Sequence, residues 1–174
     1  MTDQTETRIP SSGNHPWFAL RVKSRHEKVV DASAAGKGYV SFLPTYRHRH
    51  RSGGRVQETD LPICPGYVFC RFDPMDRLAL LKIPGVFHVV SCGRNPVQVE
   101  ETQLEHMRIA AQSGVGRPWP YLSAGTRVRI VESALQGIEG ILVSARGKDR
   151  LVVSIDLLQR SVAVEIDRNW ARPC

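Results

Sequence analysis

Residues 114–121 divide the sequence into two parts with different patterns. The segment holds two glycines and two prolines in eight positions, a composition that suits a linker better than a buried helix or strand. Strand and helix patterns alternate before it, whereas short β-branched runs separated by turn residues follow it. The 174 residues therefore predict two small domains, at 17–113 and 122–174, behind a flexible tail at 1–16.

Two stretches of the first part predict strands with unlike sides. In residues 17–22, and again in residues 64–72, a plain apolar side alternates with a side that mixes aromatic and basic residues. The mixed sides carry Trp17, Arg21, Tyr67 and Phe69. If they share one face of a sheet, they form an apolar patch with a cationic rim, which is typical of a partner surface. The alternative is that a helix covers this face and the aromatic side chains belong to a core.

Capping-box spacings predict two helices in the first part. In this arrangement a hydroxyl and a carboxylate three residues later satisfy free amides at the start of a helix. Ser24 and Glu27 stand at the start of a helix at 25–36, and Thr102 and Glu105 stand at the start of a second helix.

A basic hairpin is predicted between the strands. It follows a strand at 39–47, in which Pro44 indicates an edge or a bulge, and Gly53-Gly54 supplies the turn. Four arginines and two histidines lie within nine residues, with no acid among them. Such a segment is typical of an arm that tracks phosphates, and the alternative is a solvated loop. The candidate nucleic-acid contacts are Lys23, Arg25, Arg47, His48, Arg49, His50, Arg51 and Arg55.

The second part shows the pattern of a small all-β barrel. Its β-branched runs, at 127–131, 140–144, 150–155 and 161–166, are short and are separated by turn residues.

The composition excludes several classes of protein. No apolar run approaches the roughly 18 residues that span a bilayer, and the N-terminus lacks the apolar region of a secretory signal. We therefore expect a cytoplasmic protein without a membrane partner. The four cysteines show no C-x-x-C spacing and are expected to be reduced thiols.

Nothing in the sequence predicts catalysis, a cofactor or a metal. The common phosphate-loop, dinucleotide and nucleophile-elbow motifs are absent. His48 and His50 lie among arginines that would repel a cation, while Cys64 and Cys70 lie in apolar sequence typical of inert buried thiols. The chain carries 24 Lys plus Arg against 17 Asp plus Glu, a formal charge of +7, which favours a polyanionic neighbour. We expect a binding protein and not an enzyme.

Motifs along the chain resemble those of the NusG family. They are Trp17-Phe18, Pro65-Gly66-Tyr67-Val68-Phe69, Ile83-Pro84-Gly85-Val86, the Pro-containing linker, Val128-Arg129-Ile130 and Gly137-x-x-Gly140. The resemblance covers about residues 17–172. It implies an α+β fold in which an N-terminal NGN domain, an antiparallel sheet flanked by helices, precedes a small all-β SH3-like KOW barrel.

The resemblance implies a transcription elongation or antitermination factor that suppresses pausing or termination. In this family the NGN domain binds the clamp helices of the largest catalytic subunit of RNA polymerase, and the hairpin of specialised members approaches non-template DNA. The positions that match the polymerase-binding patch are Trp17, Phe18, Arg21, Pro65, Gly66, Tyr67 and Phe69.

The KOW domain of the family binds the ribosomal protein NusE or the termination factor Rho. The matching positions are Leu135, Gln136, Gly137 and Ile138. Housekeeping members usually have Gly-Pro-Phe where this chain has Ser133-Ala134-Leu135, and an aromatic residue where Cys64 stands. The segment at 157–162 also resembles specialised, operon-associated members of the UpxY or RfaH type. We expect a monomer.

A second hypothesis is a KOW-containing RNA-binding or ribosome-associated protein that does not bind polymerase. KOW-like barrels also occur in ribosomal proteins, and the net charge fits RNA equally well. Binding to core RNA polymerase distinguishes the two hypotheses.

Overall fold

A computed structural model describes residues 14–122 and 124–174. The tail predicted at 1–16 lies outside the described residues up to position 13. The chain divides into two compact units: one contains the chain up to Leu43 together with Gly66–Gln98, and the other contains Pro44–Pro65 together with Val99–Cys174. The predicted domain limits, 17–113 and 122–174, follow a different division and stay a prediction.

Helices and antiparallel strands make up the described residues. The strands are β1 (Trp17–Val22), β2 (Val40–Phe42), β3 (Thr45–Ser52), β4 (Arg55–Pro62), β5 (Tyr67–Arg71), β6 (Val86–Val89), β7 (Ser91–Cys92), β8 (Asn95–Pro96), β9 (Gln98–Val99), β10 (Arg117–Trp119), β11 (Arg127–Ile130), β12 (Glu139–Ala145), β13 (Lys148–Ile155), β14 (Arg160–Glu165) and β15 (Ala171–Pro173). The α-helices are α1 (Glu27–Gly36), α2 (Leu78–Leu81) and α3 (Glu101–Gln112), and 3-10 turns lie at Pro74–Asp76, Asp156–Leu158 and Arg168–Trp170.

The first unit is an antiparallel sheet with the strand order β2–β5–β1–β6. Its core lies on the plain side of β1, where Phe18 and Leu20 pack with Val30 and Ala34 of α1. The strand predicted at 17–22 is confirmed. It is not half-buried as predicted, because Trp17 and Ala19 on its mixed side are buried as well. Removing apolar surface on that side from water lowers the free energy of the folded state.

Both predicted capping boxes are wrong. Helix α1 begins at Glu27 without a side-chain cap, and the Glu27 carboxylate accepts a hydrogen bond from Gly66 instead. Helix α3 begins at Glu101, so Thr102 lies inside the helix, and Glu105 pairs with an arginine one turn later. A local spacing cannot predict a partner that tertiary structure or a neighbouring turn supplies.

The predicted strand at 39–47 is interrupted. It ends at Phe42 and a new strand begins at Thr45, because Pro44 has no N–H to donate to a sheet. The sequence also predicts an extended stretch at 61–72 that is interrupted at Pro62 and at Pro65-Gly66, and this is confirmed, since β4 ends at Pro62 and β5 begins at Tyr67. The predicted hairpin turn is confirmed, since Gly53 and Gly54 have φ values of +57° and +79° between β3 and β4.

The second unit contains an antiparallel sheet with the order β10–β14–β13–β12–β11–β15, and α3 packs on β13 and β14. The four predicted β-branched runs are confirmed as β11 to β14. Two short strands were not predicted. Strand β10 lies within the predicted linker and pairs with β14, while β15 pairs with β11.

None of the helices in the described residues combines the length and apolar character that crossing a membrane requires. The described residues also contain no cluster of three or more His, Cys, Asp or Glu side chains suited to a metal ion.

Candidate functional site

The mixed sides of β1 and β5 lie on one face of the first sheet, as the sequence hypothesis required. Trp17 lies opposite Arg71, Ala19 opposite Phe69 and Arg21 opposite Tyr67. Strand β2 adds Phe42 opposite Phe69. We call this surface the mixed face; it consists of Trp17, Ala19, Arg21, Phe42, Tyr67, Phe69 and Arg71.

Guanidinium groups cover two of the aromatic rings on the mixed face. The Arg21 Cζ lies 4.8 Å from the centre of the Tyr67 ring, and the Arg71 Cζ lies 5.0 Å from the centre of the Trp17 ring. A cation over an aromatic ring is attracted by the negative ring face. The pairs therefore fix both side chains of each couple relative to the sheet.

Burial separates the mixed face into a supporting part and an accessible part. Trp17 is 4% exposed and Phe69 is fully buried, whereas Arg21 and Tyr67 keep part of their surface in solvent. Phe18, which the family resemblance groups with these residues, lies on the opposite face, with its ring 4.8 Å from that of Phe72. Phe42 and Arg71 are partly exposed as well, but among the mixed-face residues that the family resemblance places in the patch, only Arg21 and Tyr67 are accessible to a partner.

The turn before β5 holds Arg21 in place. The Arg21 Nη1 donates a hydrogen bond of 3.3 Å to the carbonyl oxygen of Gly66, and the N–H of Gly66 donates one of 2.8 Å to the Glu27 carboxylate. Gly66 has a φ of +81°, and a Cβ there would lie 2.2 Å from the Arg21 Nη1. Pro65 beside it is exposed.

Glu27 is a buried residue whose place at this site the sequence did not predict. An acid at the first position of a helix is ordinarily explained by the helix dipole or a cap, and no local pattern indicates its partner across the unit.

The basic hairpin has two unlike faces because side chains alternate along a strand. On one, which we call the arginine face, Arg47, Arg49 and Arg51 of β3 lie opposite Asp60, Glu58 and Val56 of β4. Glu58 accepts a hydrogen bond of 2.5 Å from the Arg49 Nε and lies 3.6 Å from Arg47. The opposite strand thus contributes acids to a face that the basic stretch alone predicts to be wholly cationic.

The other surface of the hairpin, which we call the histidine face, carries a row of rings. Tyr46 meets His48 edge-on with 6.3 Å between ring centres, and the His48 and His50 rings lie within 12° of parallel with 6.0 Å between centres. Both histidines are exposed. Lys23 and Arg25, the remaining predicted contacts, are exposed in the loop between β1 and α1 of the first unit.

The loop between β11 and β12 contains the predicted KOW contacts. Leu135 and Ile138 are buried, and Gln136 and Gly137 between them are exposed. The N–H of Gln136 donates a hydrogen bond of 3.1 Å to the carbonyl oxygen of Ser133, which closes the loop. The exposed pair is therefore what this loop presents, and the two apolar side chains anchor it.

At the foot of this loop lies a polar cleft of about 700 Å³ between α3 and the sheet, with His106 and Glu139 in its wall. The hydrogen bond from Arg129 holds the pKa of Glu139 below its ordinary value. Burial lowers the pKa of His106, while the nearby Glu139 and Glu105 act in the opposite direction. In this cleft Arg129 and Glu139 are paired with each other.

The family model described as "Transcription termination factor nusG" matches residues 15–108, which is more than half of the chain. The chain belongs to the NusG family. It is 24% identical over 165 residues to the transcription termination/antitermination protein NusG of Lactococcus lactis subsp. lactis, with 87% of this chain and 89% of that protein covered. The chain is thus a homologue of transcription termination and antitermination factors, which are not enzymes.

A solved structure that concerns domain interaction in Thermotoga maritima NusG supports the fold. It matches 90% of this chain and 96% of that chain, with a TM-score of 0.54 and 16% sequence identity. At this identity the likeness concerns the fold alone.

Proposed function

We propose that this NusG-family protein is a specialised elongation or antitermination factor that binds RNA polymerase through the rim of the mixed face. The observation that carries the proposal is the Arg21–Tyr67 pair. The Gly66 turn holds this pair where β1 ends and β5 begins, at one end of the mixed face. Both residues occupy positions that, by the family resemblance, contact the clamp helices of the largest catalytic subunit of RNA polymerase.

The physical character of this rim suits a protein partner. Tyr and Arg are enriched among the interface residues that contribute most to binding. Because Arg21 is already ordered over the Tyr67 ring, less side-chain entropy is given up when a partner docks. Trp17 and Phe69 contribute from below by fixing the strands, and Pro65 and Gly66 contribute by shaping the turn.

The remaining parts of the chain have proposed roles in the same process. Residues 17–113 form the NGN domain, 114–121 the linker and 122–174 a KOW domain that couples polymerase to NusE or Rho. The six-stranded antiparallel sheet and the exposed Gln136 and Gly137 in its β11–β12 loop support this assignment.

The hairpin is proposed to contact non-template DNA. Its exposed arginines support this role, since phosphate contacts by Arg and Lys supply most non-specific affinity. Replacing Arg47, Arg49 and Arg51 together with glutamine is expected to flatten the salt dependence of binding. The logarithmic slope should fall by about 0.7 for each phosphate of the single strand that the variant no longer neutralises. An unchanged slope would indicate that the hairpin arginines do not contact phosphates and that the hairpin is a solvated loop.

The test of polymerase binding uses the full chain and core RNA polymerase. Tyr67→Ala is expected to weaken binding by about 30-fold, the loss typical of a strong interface residue. Met75→Ala, which removes an exposed apolar side chain elsewhere in the first unit, should bind as the unchanged protein does. Equal affinity in a folded Tyr67→Ala variant would contradict the proposal. Failure of the unchanged chain to bind would favour the RNA-binding or ribosome-associated alternative.

A further inference from the structure

The two faces of the hairpin differ in how their charges are compensated. On the arginine face, Glu58 and Asp60 lie opposite Arg49 and Arg47. On the histidine face, the residues of β4 opposite His50, His48 and Tyr46 are Gln57, Thr59 and Leu61, and none of these carries a negative charge. A polyanion that approaches the histidine face therefore meets no carboxylate of the paired strands.

The two imidazoles are nearly parallel, and the distance between their centres is slightly less than a flat ring between them needs. Stacked bases repeat at about 3.4 Å, so a base between two parallel rings needs about 6.8 Å. Alternate residues of an antiparallel strand stand about 6.8 Å apart for an independent reason, the rise of the extended backbone. The His48 and His50 rings are 12° from parallel with 6.0 Å between centres. Because both side chains are exposed, a small rotation supplies the remaining width.

Cationic groups stand at both ends of this row of rings. Arg55 lies opposite Ser52 and therefore shares the histidine face next to the turn. At the other end, the Arg117 Cζ lies 6.0 Å from the centre of the Tyr46 ring. Proteins bind unpaired strands with rings on which bases stack and with neighbouring guanidinium groups that bind phosphates.

We propose that the histidine face binds single-stranded nucleic acid by stacking, with one base between His48 and His50 and a neighbouring base on Tyr46. Only an unpaired strand fits, since the faces of paired bases are covered by their own neighbours. The inference rests on the proposed nucleic-acid role of the hairpin and changes its basis: the rings hold the strand, and the arginines of the opposite face add attraction at longer range.

The test compares oligonucleotides with and without bases. Binding of the full chain to a labelled thymidine homopolymer is measured by fluorescence anisotropy at one fixed salt concentration, beside a base-free deoxyribose phosphate strand of equal length. Because stacking supplies much of the affinity, we expect the base-free strand to bind at least fivefold more weakly. Equal affinities would overturn the proposal, and so would the absence of binding to the homopolymer.

Variants assign the effect to the rings. His48→Ala with His50→Ala is expected to weaken binding at least fivefold. His48→Phe with His50→Phe keeps the rings and should bind within about threefold of the unchanged chain. The control, Thr102→Ala with Gln112→Ala, removes two exposed polar side chains of α3, outside the hairpin, and should bind normally. Unchanged binding by the alanine pair, or a loss in the phenylalanine pair equal to that in the alanine pair, would contradict stacking.

Two further arms separate sources and roles. Binding to a uridine homopolymer is measured in parallel. If the alanine pair loses affinity for only one of the two homopolymers, that type of strand, RNA or DNA, supplies the unpaired bases. Polymerase binding of the alanine pair is measured without nucleic acid and should be unchanged. If the unchanged chain binds polymerase but not the oligonucleotides, this inference alone is refuted. If it binds the oligonucleotides but not polymerase, the proposed polymerase contact is refuted and the stacking proposal stands.

Discussion

The N–H of Gly66 donates a hydrogen bond of 2.8 Å to the carboxylate of Glu27, a buried side chain at the first position of α1. The carbonyl oxygen of the same glycine accepts a hydrogen bond from the Arg21 guanidinium. One glycine therefore links the helix on one side of the sheet to the rim of the mixed face. Through Gly66, the buried Glu27 positions Arg21 and Tyr67, the residues that are proposed to contact RNA polymerase.

Glu27→Ala is expected to lower the free energy of unfolding by about 1–3 kcal/mol, because it leaves the buried N–H of Gly66 without an acceptor. Glu27→Gln keeps an oxygen at the same place and should lose less. Urea unfolding of both variants measures the difference. A Glu27→Ala variant as stable as the unchanged chain would show that the hydrogen bond contributes nothing net.

Glu58→Gln is expected to strengthen binding of a single-stranded oligonucleotide, because it releases Arg47 and Arg49 from their shared acid. These ion pairs are exposed, so the stability should change by less than about 1 kcal/mol. Salt titrations of binding measure the effect, and Glu132→Gln removes the same charge from an exposed residue elsewhere as a control. A gain of equal size in both variants would assign the effect to net charge alone.

Periodicity predicted which side chains share a face, because alternation is a local property of an extended chain. The pairing of Arg21 with Tyr67 and of Trp17 with Arg71 bears this out. Periodicity could not predict whether the mixed side is buried, because burial depends on what packs there. Trp17 and Phe69 are buried although their strands carry basic residues beside them.

Other features of the site depend on residues distant in sequence. The basic stretch contains no acid, yet the strand that pairs with it supplies Glu58 and Asp60. Glu27 fitted a capping box by spacing, yet a buried N–H 39 positions away is its partner. In both cases the local pattern was present and a longer-range contact determined the role of the residue.

At Pro44 the sequence predicts only an edge or a bulge, because the missing N–H limits pairing without specifying how the chain turns.

The thiols of Cys64 and Cys70 are expected to resist an aromatic disulfide reagent in the folded protein. Burial raises the pKa of each to about 12, which leaves almost no thiolate near neutral pH. Cys92 and Cys174 are exposed and should react rapidly. A spectrophotometric titration is expected to show two fast thiols, and none after Cys92→Ser with Cys174→Ser. Four fast thiols in the folded chain would contradict the burial of the core pair.

Stability is expected to fall as the pH is lowered through the ordinary titration range of histidine, in part because of His106. Burial holds its folded-state pKa below the ordinary value, so between the two values the unfolded chain binds more protons, and stability rises with pH. His106→Gln should make this dependence shallower, by at most about 1.4 kcal/mol per pH unit. Urea unfolding between acidic and neutral pH measures the slopes, with the exposed His88→Gln as control. Identical slopes for His106→Gln and the unchanged chain would refute the assignment.

The two glycines of the Gly137-x-x-Gly140 motif have different physical reasons. Gly137 has a φ of +87° with open space around it, so an added Cβ meets no atom but the backbone is strained. Gly140 lies in β12 between β11 and β13, and a Cβ there would stand 2.4 Å from the carbonyl oxygen of Val152. Backbone cannot yield as the end of a side chain does.

Gly140→Ala is therefore expected to destabilise the second unit more than Gly137→Ala. A non-glycine residue in the left-handed region costs roughly 1–2 kcal/mol, which sets the loss at Gly137. The loss at Gly140 should exceed the roughly 3 kcal/mol of ordinary overpacking, because two paired strands must separate. Thermal unfolding of both variants gives the order. Equal losses of stability would mean that the strands accommodate the methyl group at Gly140. A larger loss at Gly137 would mean that the turn, and not the close approach of β12 and β13, is the main reason for glycine in this motif.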